Sequence, residues 1–483
     1  MVISTFTSAT EHASAVRDKR VSCRELTARY LSQIQRHNPA LNAIVVGNEA
    51  DAVRVAHERD ADVTQGLIRG PLHGVPVTVK ECFDMKGLKT TVNFPRLKNN
   101  VAANDAFVVK RLKEAGATIL GKTNIPTMLS DYQSFGPVYP TANNPYDTTR
   151  TPGGSTGGGA AAVASGLTTF EIGSDIGGSI RVPAHFCGVF GLKPTENAAM
   201  HGEGHVPPAP GSRAGYVSMA CVGPLARTMA DIELAWATIN QPTWKYFSHL
   251  PRKPRTKNAL SDYRVAWFDD LGTVACGDET RTLLGQFVRD LERGGVKAER
   301  KPFDDQWLDQ VHAVWAKLFG FVSGQDAPWL IRQIMKRQFA AMGKGAASKI
   351  LAPLKAGLDL QFKAFSRTLK ERVEVTAELQ RRFDDYDFII SPVAAGPAFP
   401  HNHLHSPIRI DARSVAYIDY AMPFVAIYGG CGNPVLVVPG GMTSGGLPVG
   451  FQIAAPHYAE DELIHFGTLV ERLGKRFVAP AGY

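Results

Sequence analysis

The sequence predicts an α/β protein with a mainly helical inserted region. Patterns of strand and helix alternate up to about residue 235. Residues 278–385 have a mainly helical pattern, and residues 386–483 return to β-like runs such as PVLVVPGG and PVGFQIAA. A helical segment inserted between two α/β portions accounts for this order.

The local patterns place the first elements. The segment VSCRELTARYLSQIQRHNPALNAIV opens with Ser22 and has Glu25 three residues later, a capping box that predicts the start of a helix. The β-rich run HGVPVTVKE predicts a buried strand that ends at Lys80. In AFVVKRLKEAGATILGKTN a helix is predicted to about Ala115, followed by a short apolar strand.

The composition is typical of a soluble globular protein and argues against several other classes of protein. Of the 483 residues, 44% are apolar and 20% are charged, and no apolar run reaches the ~18 residues of a membrane span. The N-terminus lacks the order of a secretory signal, so we expect a cytoplasmic protein. The six cysteines show no C-x-x-C spacing, which predicts buried reduced thiols rather than a zinc cluster or disulfides.

The net charge of +8 comes from one segment. Residues 331–370 hold nine lysines and arginines against one acid, Asp359. Ile331, Ile334, Met335, Phe339 and Met342 recur there at helical spacing, which favours a packed helix with a solvated basic face. Peripheral contact with a membrane surface is the lesser alternative. No nucleic-acid partner is expected, because no motif combines aromatic and basic residues.

Three motif matches lack the context that their chemistry needs. GATILGKT (116–123) fits the P-loop expression, but its middle residues read as a strand and Pro126 follows, where a helix is required. The three histidines of HNHLH (401–405) have no H-E-x-x-H motif beside them, which favours a surface loop over a metal site. GGSTG (153–157) fits the nucleophile elbow, yet loop sequence precedes it instead of a strand.

A longer constellation favours serine chemistry. Ser155 lies in the glycine-rich stretch TPGGSTGGG, and Ser179 follows 24 residues later in EIGSDIGGSIRVPAHFCGVFGLKP. The backbone N–H groups around Gly177 and Gly178 are able to converge on a developing oxyanion. A serine nucleophile needs a base, and a lysine serves only when burial lowers its pKa. Lys80, at the end of an apolar strand, is the lysine whose setting suggests such burial.

These segments resemble the amidase signature family. The resemblance includes GVPVTVKE, GKTN, NNPYDTTRTPGGSTGGGAAAVASG, IGSDIGGSIRVPAHFCGVFGLKPT, CVGPLARTMAD and GNPVLVVPGGMTSGGLPVGFQIAAP, and the block 151–195 is highly specific. It implies one domain over 1–483 with the family's α/β fold, a mixed β-sheet flanked by helices on both faces. A core at 73–235 would carry the catalytic residues, a variable, mainly helical region at 240–385 would form part of the substrate pocket, and 386–483 would return to the core.

The resemblance also implies a catalytic set. Ser179 would be the nucleophile that accepts the acyl group, Ser155, preceded by a cis peptide, would relay the proton, and Lys80 would be the base. The oxyanion hole would consist of backbone N–H groups of Ile176, Gly177, Gly178 and Ser179. Asp175 and Arg181 would support this loop. No metal and no cofactor are implied.

Further residues and the substrate follow from the same resemblance. TMLSDYQS (127–134) resembles a pocket-lining segment, which makes Met128, Leu129 and Ser130 candidates for substrate binding. The expected reaction is hydrolysis of the C–N bond of a small-molecule amide with a hydrophobic or aryl part, and carbamates and esters are further candidates. A homodimer is compatible with the sequence.

Two alternatives to a free-standing hydrolase differ in class. One is a subunit that releases ammonia from glutamine within a tRNA-dependent amidotransferase complex. Ile176 and Val182 differ from the residues common in that branch, and Thr156 stands where a second serine is frequent in the family. The other is an interaction protein that uses the basic helix, which an intact set of Lys80, Ser155 and Ser179 argues against.

Overall fold

The computed structural model describes residues 3–198, 203–206, 219–240, 253–271, 274–325, 327–342 and 348–483. Within these residues it contains thirteen strands and fourteen α-helices. The strands are β1 (Ile44–Gly47), β2 (Pro76–Lys80), β3 (Thr118–Thr123), β4 (Phe170–Asp175), β5 (Phe190–Lys193), β6 (Cys221–Ala226), β7 (Arg264–Trp267), β8 (Lys297–Arg300), β9 (Phe388–Pro392), β10 (Ile408–Ile410), β11 (Arg413–Val415), β12 (Val435–Met442) and β13 (Pro448–Ala454).

The helices alternate with these strands and dominate the region before β9. They are α1 (Ala9–Arg17), α2 (Cys23–Leu41), α3 (Glu49–Thr64), α4 (Phe107–Glu114), α5 (Gly157–Ala164), α6 (Arg181–Phe186), α7 (Met229–Ile239), α8 (Asp278–Arg293), α9 (Asp305–Gly324), α10 (Trp329–Met342), α11 (Leu351–Gly357), α12 (Phe362–Asp385), α13 (Met422–Cys431) and α14 (Glu460–Arg472). No helix in the described part of the chain is long and apolar enough to cross a membrane.

One mixed sheet of eleven strands organises the molecule, in the order β1-β3-β2-β4-β6-β5-β12-β13-β9-β7-β8. Strand β2 is parallel to both of its neighbours, β3 and β4, whereas β12 is antiparallel to β5 and β13. The C-terminal strands therefore join the N-terminal half of the sheet directly, and the predicted mixed α/β fold is confirmed.

Alternation along the strands divides the core into two layers. Val435 and Val437 of β12 belong to one apolar cluster, together with helices α5, α6, α9 and α13. Leu436 and Val438 belong to a second cluster, together with α4, α7, α8 and α14. Successive strand residues face opposite sides of a sheet, so the two clusters lie on its two faces. The predicted arrangement of helices on both faces is confirmed.

Several local predictions are also confirmed. Helix α2 begins with the capping box of Ser22 and Glu25, in which each side chain accepts a hydrogen bond from the other residue's backbone N–H. Helix α4 and strand β3 follow the predicted order, so the match to a P-loop lies in a strand. All six cysteines are buried and unpaired by disulfides.

The structure of the region 240–385, which is predicted to be mainly helical, differs from that prediction because the region also contains strands. It contributes two strands, β7 and β8, to the edge of the sheet. Strand β8 has the sequence KAER and is largely exposed, because an edge strand needs little apolar surface and charged residues protect it from further pairing. A short charged strand of this kind has no periodic apolar signal.

The basic segment contains most of α10, all of α11 and the start of α12. Phe339 is buried, and Met335 and Met342 pack against the first cluster, as the helical spacing predicts. Ile334, which the spacing places on the same apolar face, is instead 44% exposed. Arg332 and Lys336 both pair with Asp359. Lys344, one of the nine cations, lies outside the described residues.

Candidate active site

Lys80 is enclosed at the carboxyl end of the central parallel strand β2. All five residues of β2 are buried, and the Lys80 side chain is 0% exposed. Val77 and Val79 belong to the second apolar cluster, so Lys80 alternates to the opposite face, the one that carries α5 and α6. Placement in a buried strand therefore brings the amine into the interior, as the sequence predicts.

The Lys80 amine has three oxygen neighbours. Its Nζ lies 2.7 Å from the Oγ of Ser155 and 3.1 Å from both the carbonyl oxygen and the Oγ of Ser174. Burial lowers the pKa of Lys80 to about 8, although the nearby Cys82, Asp175 and Glu171 act in the opposite direction. An amine with this pKa is partly neutral near neutral pH and is able to accept a proton from the Ser155 hydroxyl.

Ser155 is held by a loop that only glycines permit. The Gly154–Ser155 peptide bond is cis, as the resemblance implies. A Cβ on Gly154 would lie 2.3 Å from the carbonyl oxygen of Asp131, and Gly153 has a φ of +93°. Ser134 Oγ also donates a 3.0 Å hydrogen bond to the Gly153 carbonyl. The glycines thus let the loop lie against the 131–134 backbone, with Ser155 buried beside Lys80.

Ser179 lies on the turn between β4 and α6. Its carbonyl accepts a 3.1 Å hydrogen bond from the Thr156 N–H, which joins the loops that carry the two serines. Ser179 is half-buried, whereas Ser155 is 1% exposed. Of the three predicted catalytic residues, Ser179 is therefore the one that a substrate can reach.

Asp175 and Arg181 form a fully buried ion pair beneath this turn. The carboxylate accepts hydrogen bonds from Nε and Nη2 of Arg181, at 3.0 and 2.8 Å, and from the N–H groups of Gly178 and Ile180, at 2.8 and 3.0 Å. Burial alone would raise the pKa of Asp175, but the guanidinium and these N–H donors hold it well below its usual range. The pair thus ties the turn to the end of β4.

The backbone N–H groups that are predicted to form the oxyanion hole differ in whether they already donate a hydrogen bond within the protein. The Gly178 N–H donates to Asp175, as described above. Within the part of the chain that the structure describes, the N–H groups of Ile176, Gly177 and Ser179 donate to no protein acceptor. Ile176, Gly177 and Ser179 are also partly exposed, so three adjacent donors are available to an incoming oxygen.

The predicted substrate-binding residues differ in exposure. Met128 is 39% exposed with a φ of +52°, and Ser130 is exposed. Leu129 packs against the second apolar cluster. The same segment continues to Tyr132, whose hydroxyl donates to the Gly177 carbonyl at 3.3 Å and lies 3.0 Å from Met422 Sδ. The sequence pattern does not single out Tyr132, although it lies within the segment TMLSDYQS.

Apolar side chains surround the turn that carries Ser179. A Cβ on Gly177 would lie 3.0 Å from the Trp315 ring and 3.6 Å from Met422 Sδ, and one on Gly178 would contact Val182 and Val425. Trp315 of α9 stacks on Phe319 with ring centroids 4.9 Å apart. No pattern in the sequence signals these contacts, because α9 lies in the variable region and α13 about 240 residues beyond the turn.

The three histidines of HNHLH have separate partners. His401 Nε2 lies 3.0 Å from Asn143 Oδ1, and the His403 ring stacks on Phe135 with centroids 4.2 Å apart. His405 Nε2 lies 2.6 Å from a carboxylate oxygen of Asp131. The histidines therefore fasten the 401–405 loop to the 131–143 segment at three points.

The sequence of this chain is similar to those of known proteins over most of its length. A family model described as Amidase matches residues 25–464. An acylamidase from Rhodococcus erythropolis is 30% identical over 463 residues, covering 93% of this chain and 92% of that protein. A glutamyl-tRNA(Gln) amidotransferase subunit from Bdellovibrio bacteriovorus is 29% identical over 496 residues, covering 97% of both.

A solved structure agrees with the fold over the whole chain. A bacterial aryl acylamidase described as a member of the amidase signature enzymes superposes with a TM-score of 0.80. Its sequence is 23% identical, and the match covers 99% of each chain.

Proposed function

Since this chain belongs to the amidase family and is an amide hydrolase, we propose that it cleaves linear amides with a hydrophobic or aryl part through an acyl-enzyme on Ser179. The observation that carries the proposal is the 2.7 Å contact between the buried Lys80 amine and Ser155. Carbamates and esters pass through the same tetrahedral chemistry and are included in the proposed substrate range.

The proposed first step forms the acyl-enzyme. Neutral Lys80 takes the Ser155 hydroxyl proton while Ser155 takes the proton of Ser179, and Ser179 Oγ attacks the amide carbon. The carbonyl oxygen becomes an oxyanion that the N–H groups of Ile176, Gly177 and Ser179 stabilise. When the C–N bond breaks, the proton returns through Ser155 to the leaving nitrogen.

The second step releases the acid. Water replaces the amine in the site and attacks the acyl carbon, giving its proton to Lys80 through Ser155. The Ser179–acyl bond breaks, and the same proton returns to Ser179 by the reverse route. Asp175 and Arg181 support the turn throughout, and the Gly178 N–H stays engaged with Asp175.

The surroundings of the turn support an apolar substrate. The side chains nearest to Gly177 and Gly178 are those of Trp315, Met422, Val182 and Val425, which offer apolar and aromatic contact area. Arg181, the cation closest to this turn along the chain, is already paired with Asp175. A charged substrate group would therefore gain little from the groups that surround Ser179.

A fluorophosphonate probe with peptide mapping tests the proposed nucleophile. We expect an adduct on Ser179 that is lost in Ser179→Ala and in Lys80→Met. Ser165→Ala removes a buried serine hydroxyl that donates to the Ala161 carbonyl of the preceding helix, and Lys122→Met removes another buried lysine, so both serve as matched controls. An adduct on Ser155 would reverse the assigned roles of the two serines.

A second candidate is ammonia release from glutamine within a tRNA-dependent amidotransferase complex. The amidotransferase relative at 29% identity favours it. Assays of the purified chain separate the two functions, because the hydrolase proposal expects turnover of anilides without a partner. Glutamine turnover that appears only with a partner complex, and no turnover of anilides, would favour the second candidate.

A further inference from the structure

The Ser174 hydroxyl lies between the Lys80 amine and the imidazole ring of His205. The Ser174 hydroxyl lies 3.1 Å from Lys80 Nζ and 3.0 Å from His205 Nε2. A continuous chain of hydrogen-bonding groups thus runs from His205 through Ser174 and Lys80 to Ser155. His205 belongs to no motif in the sequence and has no part in the mechanism above.

The backbone fixes the position of His205. Phe83 and His205 form an antiparallel bridge, in which Asp84 N–H donates to the Gly204 carbonyl at 2.7 Å and Val206 N–H donates to the Cys82 carbonyl at 2.9 Å. The His205 ring also packs edge-on against Phe83, with centroids 5.3 Å apart. Residues 82–84 begin two positions after Lys80, so His205 is attached to the segment that follows β2.

Hydrogen-bond counting shows why the direction of the Ser174 hydroxyl matters. A neutral lysine amine has two N–H donors and one lone pair. The Ser174 carbonyl can only accept, so it takes one N–H. The other N–H and the lone pair are divided between the hydroxyls of Ser155 and Ser174. Only when the second N–H points to Ser174 is the lone pair left to accept the Ser155 proton.

We propose that His205 is a positioning residue that accepts the Ser174 hydroxyl proton at Nε2 and thereby directs the lone pair of Lys80 towards Ser155. Ser174 Oγ then offers only its own lone pairs to Lys80 and takes the second N–H. After Lys80 gains a proton, its three N–H groups match its three oxygen neighbours without rotation of Ser174. The inference rests on the proposed role of Lys80 as base.

Cys82, which also lies near Nε2, is compatible with this direction. Cys82 Sγ lies 3.5 Å from His205 Nε2 and 3.9 Å from Ser174 Oγ. Burial raises the pKa of the Cys82 thiol to about 12, so it keeps its proton at neutral pH and is a weak donor. Cys82 is thus able to donate its hydrogen to Nε2, as Ser174 does in the proposal, and an Nε2 that accepts belongs to the tautomer with its proton on Nδ1.

The test compares two variants in which residue 205 has an amide side chain, one longer than the other by a methylene group. In His205→Gln the side-chain oxygen can reach the position of Nε2, whereas in His205→Asn it is one methylene too short. We expect the maximal rate of Ser179 labelling by a fluorophosphonate to fall about tenfold in the Asn variant, the value of one hydrogen bond, and to return to near wild type in the Gln variant. The half-saturating probe concentration should stay unchanged in both.

A double-mutant cycle identifies the route of the effect. In a Ser174→Ala background the competing hydroxyl is absent, so the Asn and Gln variants should label at equal rates. His205→Phe keeps a ring against Phe83 without an acceptor and replaces the Asn variant if that protein does not fold. Equal rates for the Asn, Phe and Gln variants when Ser174 is intact would overturn the inference while leaving the proposed function unaffected. Absence of Lys80-dependent labelling in the wild type would refute the proposed function, and this inference with it.

Discussion

Lys80 and Lys122 are both buried but have different hydrogen-bond partners, so their comparison shows what burial alone does to a lysine. Burial lowers the pKa of both Lys80 and Lys122 to about 8. Lys122 Nζ donates to the Lys89 carbonyl and to the Thr90 hydroxyl, and thereby holds a loop. Lys80 instead contacts Ser155, which lies beside the Ser179 loop. A depressed pKa makes a lysine able to act as a base, but the hydroxyl it faces decides whether it does.

The pKa of Lys80 predicts the pH dependence of the reaction. Because the neutral amine is the active form, kcat/KM should rise with pH through about 8 and level off above it. The measurement is a profile of kcat/KM for an anilide between about pH 6 and 10. A profile that is flat on the acid side would contradict the role of Lys80 as base.

The buried Asp175–Arg181 pair predicts a large loss of stability on neutralisation. Asp175→Asn leaves the guanidinium without its counter-charge, so the free energy of unfolding should fall by about 3–5 kcal/mol in urea titrations at pH 7. Asp309→Asn removes an exposed pair with Lys349 and should cost less than about 1 kcal/mol. Because the pKa of Asp175 is depressed, its contribution is present at neutral pH and is lost as the pH falls through the folded-state value. Equal losses in the two variants would argue against this role.

At the scale of elements, short segments position the site by touching one another closely. The Ser155 loop rests on the backbone of Asp131, and the Ser179 turn rests on Trp315 of α9 and Met422 of α13. The contacts of the Ser179 turn join a segment with a clear motif to two helices without any. The glycines are therefore required by what lies opposite them and not by the loop alone.

Gly154 is the position where this close approach can be tested. In Gly154→Ala the new Cβ would meet the Asp131 carbonyl at 2.3 Å, so the loop must move and displace Ser155 from Lys80. We expect kcat/KM for an anilide to fall about 100-fold, the cost of a displacement of about 1 Å in a catalytic site. Gly47→Ala, where nothing lies within 4 Å, should retain activity near the wild-type level. Near-wild-type activity of Gly154→Ala would mean that the loop adapts without moving Ser155.

At the scale of the molecule, the sheet interleaves distant parts of the chain. Strands β12 and β13 lie between β5 and β9, and β7 and β8 of the variable region complete one edge. Residues from both ends of the chain also share each apolar cluster. Neither the 73–235 core nor the C-terminal segment can bury its strands without the other.

This interleaving predicts that the chain unfolds as one unit. Thermal unfolding followed by far-UV circular dichroism and by tryptophan fluorescence should give coincident transitions, since Trp236 in α7 and Trp315 in α9 report on opposite faces of the same sheet. Two separate transitions, or a stable fragment after limited proteolysis near residue 240, would contradict a single domain over 1–483.

Several features are determined by the sequence itself. The alternation of strand and helix, the capping box of α2 and the burial of Lys80 at the end of β2 follow from local patterns, because periodicity and strand hydrophobicity act over a few residues. The glycine and serine spacing around Ser155 and Ser179 is also local. The sequence alone therefore makes these residues candidates for the site.

Other features are decided only by the tertiary structure. Tyr132, Trp315 and Met422 reach the Ser179 turn from segments up to about 290 residues apart, and the exposed charged strand β8 has no apolar period. Ser174 meets Lys80 because β4 pairs with β2, and His205 meets Ser174 because its segment bridges to Phe83. Such contacts depend on the order of strands in the sheet, which no local pattern encodes, since it follows from burying all faces of the sheet and its helices at once.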